Sequence, residues 1–484
     1  MSFESLETVL DTAQERFDPA TAPAMVTAVF TRDGVVRYRA TGAPAGPGTV
    51  TERATVFRIA SMTKSFLAAT ALLLRDEGLL DFAAPITQYV PGLRFMYGGD
   101  EQRVTIAQLL SNQSGLAEDN AWGDRRLGDR RESIQALAEE GLRLTAEPGE
   151  LYQYSNLGMS FVGRAIEAVT GSSVETVIRE RLIDPLGLSR TRFSADEYPA
   201  DVPLAWGFRT FDESKTLSEE PYVGNGALAC IGGLFSTVDD IASWVAFLSS
   251  AYTDAPIRPD LMAPATRREM QRIHTAAAPG GNQESRELDA FGYGYGLDVE
   301  HDRAFGRIVQ HSGGLPGFSS HMRWHSASGI GVVAFGNCDM FRAEVFAAQL
   351  HSDVLAAENI VSPSSQSPRS AESWPETLVA AQRLDEALRS GTPLETLDGV
   401  FAVNAMQDVP PAVRQRRLDQ ALEETGPVKS AQAPLEQRIV AQVGPAELRW
   451  RIECERGALL CDARLVGLST PLVQTLIVAA ADQH

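Results

Sequence analysis

Ser61-Met62-Thr63-Lys64 follows the apolar run Thr55-Val56-Phe57-Arg58-Ile59-Ala60 and leads into Ser65-Phe66-Leu67-Ala68-Ala69-Thr70-Ala71-Leu72-Leu73-Leu74. The Ala and Leu content of that second run is that of a buried helix. A helix beginning near Ser61 puts residues 61 and 64 on one face, one turn apart. A hydroxyl and an amine then meet at the end of the helix whose dipole favours developing negative charge. Serine is a poor nucleophile until a base takes its proton, and lysine serves as that base only when burial lowers its pKa. Arginine cannot substitute, because it does not deprotonate in proteins. Lysine is scarce here: of 43 basic residues only Lys64, Lys215 and Lys429 are lysines. A helix-capping serine beside a surface lysine has the same spacing, so the motif needs partners elsewhere in the chain.

At 484 residues the chain exceeds one average domain, and two are expected. Hydrophobic residues at 44% and charged residues at 22% describe a globular protein with a sizeable core. The net charge of −20 repels phosphate backbones and anionic lipid, so neither nucleic acid nor a membrane is an expected partner. Cys230, Cys338, Cys454 and Cys461 form no C-x-x-C pair, and the seven histidines show no zinc-ligand spacing. Cys454 and Cys461 are near enough in sequence to meet across a hairpin, but buried free thiols are the expectation. The first residues lack the basic start and apolar stretch of a signal peptide, and no run approaches the ~18 apolar residues of a membrane span. A cytoplasmic location follows as an expectation.

Taken in order, residues 3–17 have the apolar stripe of an amphipathic helix. Runs 24–31 and 35–41 read as strands of a hairpin turning at Asp33-Gly34. The Ser-x-x-Lys helix should end at Glu77-Gly78. A short helix after Thr105 precedes the turn Ser111-Asn112-Gln113-Ser114-Gly115, and a longer helix covers 157–169. Ser236-Thr237-Val238-Asp239-Asp240 is an N-cap signature for a helix through about 248. Residues 275–288 read as a loop, and 293–300, 307–311, 320–326 and 330–337 as successive antiparallel strands. The Ser/Pro content of 361–370 marks a linker between a domain at 1–360 and a smaller α+β domain at 371–484. In the latter a helix is expected over about 372–390, with strands near 397–403, 436–443, 446–453, 457–466 and 471–479.

Two further stretches join Ser61 and Lys64. Tyr154-Ser155-Asn156 lies between a turn and a helix, where a tyrosine beside a lysine can carry protons and an asparagine can hold an amide. His311-Ser312-Gly313-Gly314 ends a strand in glycines that let a substrate approach the backbone and let an N–H face an oxyanion. Together the three motifs resemble the serine β-lactamase and penicillin-binding-protein family, in its class C β-lactamase-like branch of esterases, D-aminopeptidases and D-peptidases. The resemblance covers about 20–345. It implies an α+β, β-lactamase-like fold: an antiparallel sheet flanked by helices, plus an all-helical lobe.

The resemblance also implies roles. Ser61 would be the nucleophile and Lys64 the base, either directly or by holding Tyr154 anionic. Asn156, His311, Ser312, Gly313 and Gly314 would bind substrate or the oxyanion, with no metal or cofactor required. The expected activity is hydrolysis of small esters, or of amides and peptides that include D-residues, through an acyl-enzyme. Acyl transfer by the same residues and a non-catalytic penicillin-binding-like sensor are the alternatives. Self-association is left open. Two departures stand out. Histidine at 311 replaces the lysine of true lactamases, which implies weak or no β-lactamase activity. Asn112-Gln113 occupies the place where many relatives carry His-Thr.

Overall fold

A computed structural model describes residues 3–212, 216–279, 286–361 and 372–481. The expected linker at 361–370 falls outside them except for Val361, as does the middle of the loop at 275–288. The chain divides into two compact units, Met1–Ser362 and Pro363–His484.

The first unit is built on an eight-stranded antiparallel sheet. In chain order its strands are β1 (Ala24–Thr31), β2 (Gly34–Gly42), β3 (Thr275–Ala276), β4 (Leu288–Tyr293), β5 (Asp298–Asp302), β6 (Gly306–Leu315), β7 (Phe318–His325) and β8 (Gly331–Gly336). They lie in the order β3-β4-β5-β6-β7-β8-β1-β2. Side chains alternate across the pleat, and the burial pattern follows. Val29, Ile308, Val332 and Ala334 pack under helices Phe3–Glu15 and Ala343–Ala357, against Leu6, Leu10, Leu350 and Val354. Val26, Ala28, Phe30, Val309, Val333 and Phe335 face the other way, into the main core.

That core surrounds the helix Thr63–Asp76, in which every residue from Thr63 to Leu74 is buried. A helix apolar on all sides has to be enclosed. Phe66 stacks on Trp244 of helix Val238–Ser249, with ring centroids 4.2 Å apart, and the Trp244 indole N–H donates to Ser65 Oγ at 3.0 Å. Beyond it lies the helical lobe, including Ile106–Leu110, Arg131–Gly141 and Asn156–Thr170; it also carries a small three-stranded sheet of Phe95–Tyr97, Asp100–Glu101 and Leu142–Arg143.

One expected strand is different. Residues 293–300 are not continuous: β4 ends at Tyr293, the chain turns through Gly294–Leu297, and β5 starts at Asp298. Gly296 has φ +68°, and a Cβ there would lie 2.5 Å from the Lys64 carbonyl oxygen. The turn therefore presses on the central helix at the residue bearing the amine.

The second unit is a four-stranded antiparallel meander, Ile439–Gly444, Glu447–Glu453, Ala458–Val466 and Leu472–Ala480, with helices Pro375–Ser390 and Pro411–Thr425. Its core contains Leu384, Leu388, Leu448, Trp450, Ile452, Leu459 and Val473. The strand expected at 397–403 is a single bridge from Phe401 to Val473, followed by helix Val403–Asp408. The helix at Pro411–Thr425 has no counterpart in the sequence reading, although proline in its first turn is a favourable start. All four cysteines are buried and free. No helix among the described residues is long and apolar enough to cross a membrane.

Candidate active site

Ser61 lies in a single 3-10 turn, Ala60–Met62, which runs directly into the central helix. Ala60 has φ +47°, a left-handed conformation that costs an L-residue about 1 kcal/mol and sets the position of the next side chain. The turn is held from the sheet: Ser320 Oγ donates to the Ile59 carbonyl at 2.8 Å, and the Ile59 N–H donates to Leu234 O at 2.9 Å. Ser61 is 7% exposed and lines a cavity of about 430 Å³.

Lys64 lies below it, fully buried. Its Nζ donates to Ser61 Oγ at 2.9 Å and to the Ile231 carbonyl at 3.0 Å, and it lies 4.8 Å from the centre of the Tyr154 ring. Among the described residues no carboxylate is hydrogen-bonded to it. Burial lowers its pKa from 10.5 to about 7, offset in part by the charges of Asp124 and Asp119. An amine near neutrality, hydrogen-bonded to a hydroxyl, can take that hydroxyl's proton.

Tyr154 lines the same cavity. Burial drives its phenol pKa well above 10, so the hydroxyl is neutral at rest. Desolvation works against a phenolate sustained by Lys64, because it disfavours the charged form of each group.

His311, Ser312 and Gly314 also line the cavity. His311 is 2% exposed, with Nδ1 2.6 Å from the Ser312 carbonyl and Nε2 3.0 Å from the Tyr293 hydroxyl. The carbonyl can only accept, so Nδ1 carries the hydrogen and Nε2 accepts from Tyr293. Burial, reinforced by Lys64, lowers the His311 pKa to about 3. The ring is a neutral dipole, not the partly charged group expected from its type. Ser312 Oγ is 2.9 Å from His321 Nδ1.

The other two expected residues are not in the cavity wall. Gly313 packs behind it, where a Cβ would lie 2.2 Å from Ser320 Oγ and 2.3 Å from the Ile59 carbonyl oxygen. Asn156 is fully buried at the start of its helix and donates from Nδ2 to Asn120 Oδ1 at 3.1 Å. It therefore braces the wall of the cavity.

Sequence reasoning missed the groups that hold Tyr154 in place. Asn112, with φ +54°, accepts from the Gln153 N–H at its carbonyl (2.8 Å) and from the Ser155 N–H at Oδ1 (3.1 Å). Asp119 accepts from the N–H of Asn156 (2.6 Å) and of Leu157 (3.0 Å) and from Ser155 Oγ (3.0 Å), a carboxylate on a helix N-terminus. Asn120, Asp124, Tyr152, Ala278, Phe291 and Asp298 complete the described lining, and none of them belonged to a recognisable motif. An asparagine in a turn was the one available signal.

The family model for beta-lactamase matches residues 12–355, most of the chain and all three motifs. This chain belongs to the beta-lactamase family. A penicillin-binding protein of Bacillus subtilis (strain 168) is 28% identical over 283 residues, which are 55% of this chain and 57% of that one. The chain thus matches little more than half the length of its curated relatives. The octameric penicillin-binding protein homologue from Pyrococcus abyssi superposes with a TM-score of 0.62 at 19% identity, covering 98% of this chain and 100% of that one. EstCE1, described as a hydrolase with promiscuous acyltransferase activity, gives a TM-score of 0.59 at 20% identity over 72% of this chain and 98% of its own. At such identities these likenesses establish the beta-lactamase fold.

Proposed function

We propose that the protein is a serine hydrolase that cleaves small esters, or amides and peptides, through an acyl-enzyme on Ser61. The observation that carries this reading is the 2.9 Å hydrogen bond between a fully buried lysine and a serine open to a cavity. Lys64 Nζ takes the proton of Ser61 Oγ as the oxygen attacks the substrate carbonyl carbon. The resulting oxyanion accepts from the backbone N–H groups of Ser61 and Gly314, each worth about 3 kcal/mol. Collapse breaks the bond to the leaving group, which receives the proton from Lys64 through the neutral Tyr154 hydroxyl. Water then attacks the ester, giving its proton to Lys64, and the acid leaves with Ser61 restored. Asn156, Asn112 and Asp119 act as positioning residues for the Tyr154 segment.

The neutral His311 supplies no cation for a penicillin carboxylate, so β-lactam turnover ranks last among the substrates. Transfer of the acyl group to an alcohol uses the same intermediate, and the likeness to EstCE1 favours testing it by adding alcohols to the assay. A homo-oligomer belongs to the same reading, on the likeness to the octameric homologue; sedimentation at the 52.3 kDa monomer mass would remove it.

The decisive experiment is a panel of p-nitrophenyl esters, D- and L-aminoacyl nitroanilides and nitrocefin, run with labelling by a fluorophosphonate. Ser61→Ala should abolish both turnover and labelling. Undiminished activity, or labelling at another serine, would overturn the assignment.

A further inference from the structure

The cavity above Ser61 is chemically lopsided. Two carboxylates, Asp124 and Asp298, line it together with the rings of Tyr152, Tyr154 and Phe291, and no lysine or arginine is among the described lining residues. Lys64 lies beneath the nucleophile, with its hydrogen bonds directed at Ser61 and Ile231. Asp298 begins β5, directly across from Tyr293 at the end of β4. Among the described residues its side chain has neither a hydrogen-bond donor nor a cation, although its neighbour Glu300 has Arg286, Arg323 and Gln310. A carboxylate held in a recess without a partner is costly unless something else supplies the positive charge.

We propose that Asp298, with Asp124 and the faces of the cavity's aromatic rings, forms a subsite for a protonated amine. The acyl groups this protein accepts would then carry a free ammonium, as aminoacyl esters, aminoacyl amides and peptides with an open N-terminus do. The proposal rests on the Ser61 hydrolase reading and names its substrate class. An ammonium entering the cavity gains a charge-assisted hydrogen bond to a carboxylate and the attraction of nearby ring faces. A substrate carboxylate in the same place meets two acidic side chains, whose ionised forms it would disfavour, and no counter-ion among the described lining residues. The net charge of −20 draws cations toward the molecule in the same sense. Among the described residues no group of three or more His, Cys, Asp or Glu could hold a metal ion. With the site empty, burial and the charge of Glu300 raise the Asp298 pKa to about 8, and an arriving ammonium would favour its ionised form.

The test compares alanine p-nitroanilide, in both D and L forms, with propionyl p-nitroanilide, which differs only by the amine. Wild type should favour an alanyl substrate in kcat/KM. In Asp298→Asn, whose amide mimics the protonated acid, that preference should fall about tenfold to a hundredfold, chiefly through KM. A second readout needs no variant: n-propylammonium, but not propanol, should slow fluorophosphonate labelling of Ser61 in the wild-type protein. An unmoved preference, or equal protection by the two additives, would retract the amine subsite while labelling at Ser61 leaves the hydrolase reading standing. Absence of both turnover and Ser61 labelling would retract the two together.

Discussion

The Tyr293 hydroxyl donates to Nε2 of His311 across 3.0 Å, fixing the tautomer of a ring that lines the catalytic cavity. The other ring nitrogen is committed to the Ser312 carbonyl, so His311 has no free hydrogen to lose and no low-cost way to gain one. Its proton NMR signals should stay fixed between pH 5 and 8, because burial holds its pKa down at about 3. Tyr293→Phe leaves Nε2 buried without a donor and should cost about 1–2 kcal/mol of stability, seen as an earlier urea midpoint. A His311 signal moving with a midpoint near 6.5 would contradict this account.

Lys64 should set the ascending limb of the pH profile. A base must be neutral to act, so kcat/KM is expected to rise with pH through about 7 and then level off. Lys64→Arg preserves charge but cannot release a proton, and should lower kcat by about a thousandfold or more. The same shift has a stability consequence. Between about 7 and the ordinary 10.5 the unfolded chain holds a proton that the folded amine does not, so this group's contribution to stability rises with pH across that window. Below 7 the folded state carries the full cost of a buried ammonium. Thermal melts of wild type and Lys64→Met should therefore diverge most on the acid side.

How far the sequence discloses all this depends on the range of each interaction. Ser61 and Lys64 are three residues apart, and helical geometry alone brings them together. Strands β1 and β2 were equally legible, because Asp33-Gly34 is a local turn signal between two β-prone runs. Asn112 meets Ser155 across 43 residues, and Asp119 meets Asn156 across 37, pairings that no local pattern encodes. Asp298 is defined by the partners it lacks among the described residues, which no sequence displays. The break in the strand at 293–300 was hidden for a different reason. Gly292-Tyr293-Gly294-Tyr295-Gly296 alternates with the period of a strand, yet its glycines are there for close approach to the Thr275, Met270 and Lys64 backbone oxygens in turn.

Asn112 combines two requirements that substitutions can separate. Its φ of +54° favours Asn or Gly, and its Oδ1 serves the Ser155 N–H next to Tyr154. Asn112→Gly keeps the backbone conformation and loses only the side-chain acceptor. Asn112→Ala loses both. The alanine variant should be less stable than the glycine variant by about 1 kcal/mol, while both lose activity to a similar extent, about tenfold in kcat. Equal melting temperatures for the two would show that the backbone at 112 is not under constraint.

Gly313 and Gly314 are adjacent, and yet they should respond to a single added methyl in opposite ways. A Cβ on Gly313 would lie 2.3 Å from the Ile59 carbonyl oxygen and 2.2 Å from Ser320 Oγ, the two atoms that tie the nucleophile's turn to the sheet. The Ile59 carbonyl cannot yield without moving Ala60 and Ser61, so Gly313→Ala should lose about 1–3 kcal/mol of stability and most of its activity. A Cβ on Gly314 has nothing within 4 Å and projects where the residue is exposed beside the cavity. Gly314→Ala should therefore fold with wild-type stability, and its loss should appear in the turnover of bulky acyl groups before small ones. Melting curves and a series of acetyl to octanoyl p-nitrophenyl esters measure the two effects separately. Equal destabilisation by both substitutions would show that β6 does not hold the Ser61 turn in the way these contacts imply.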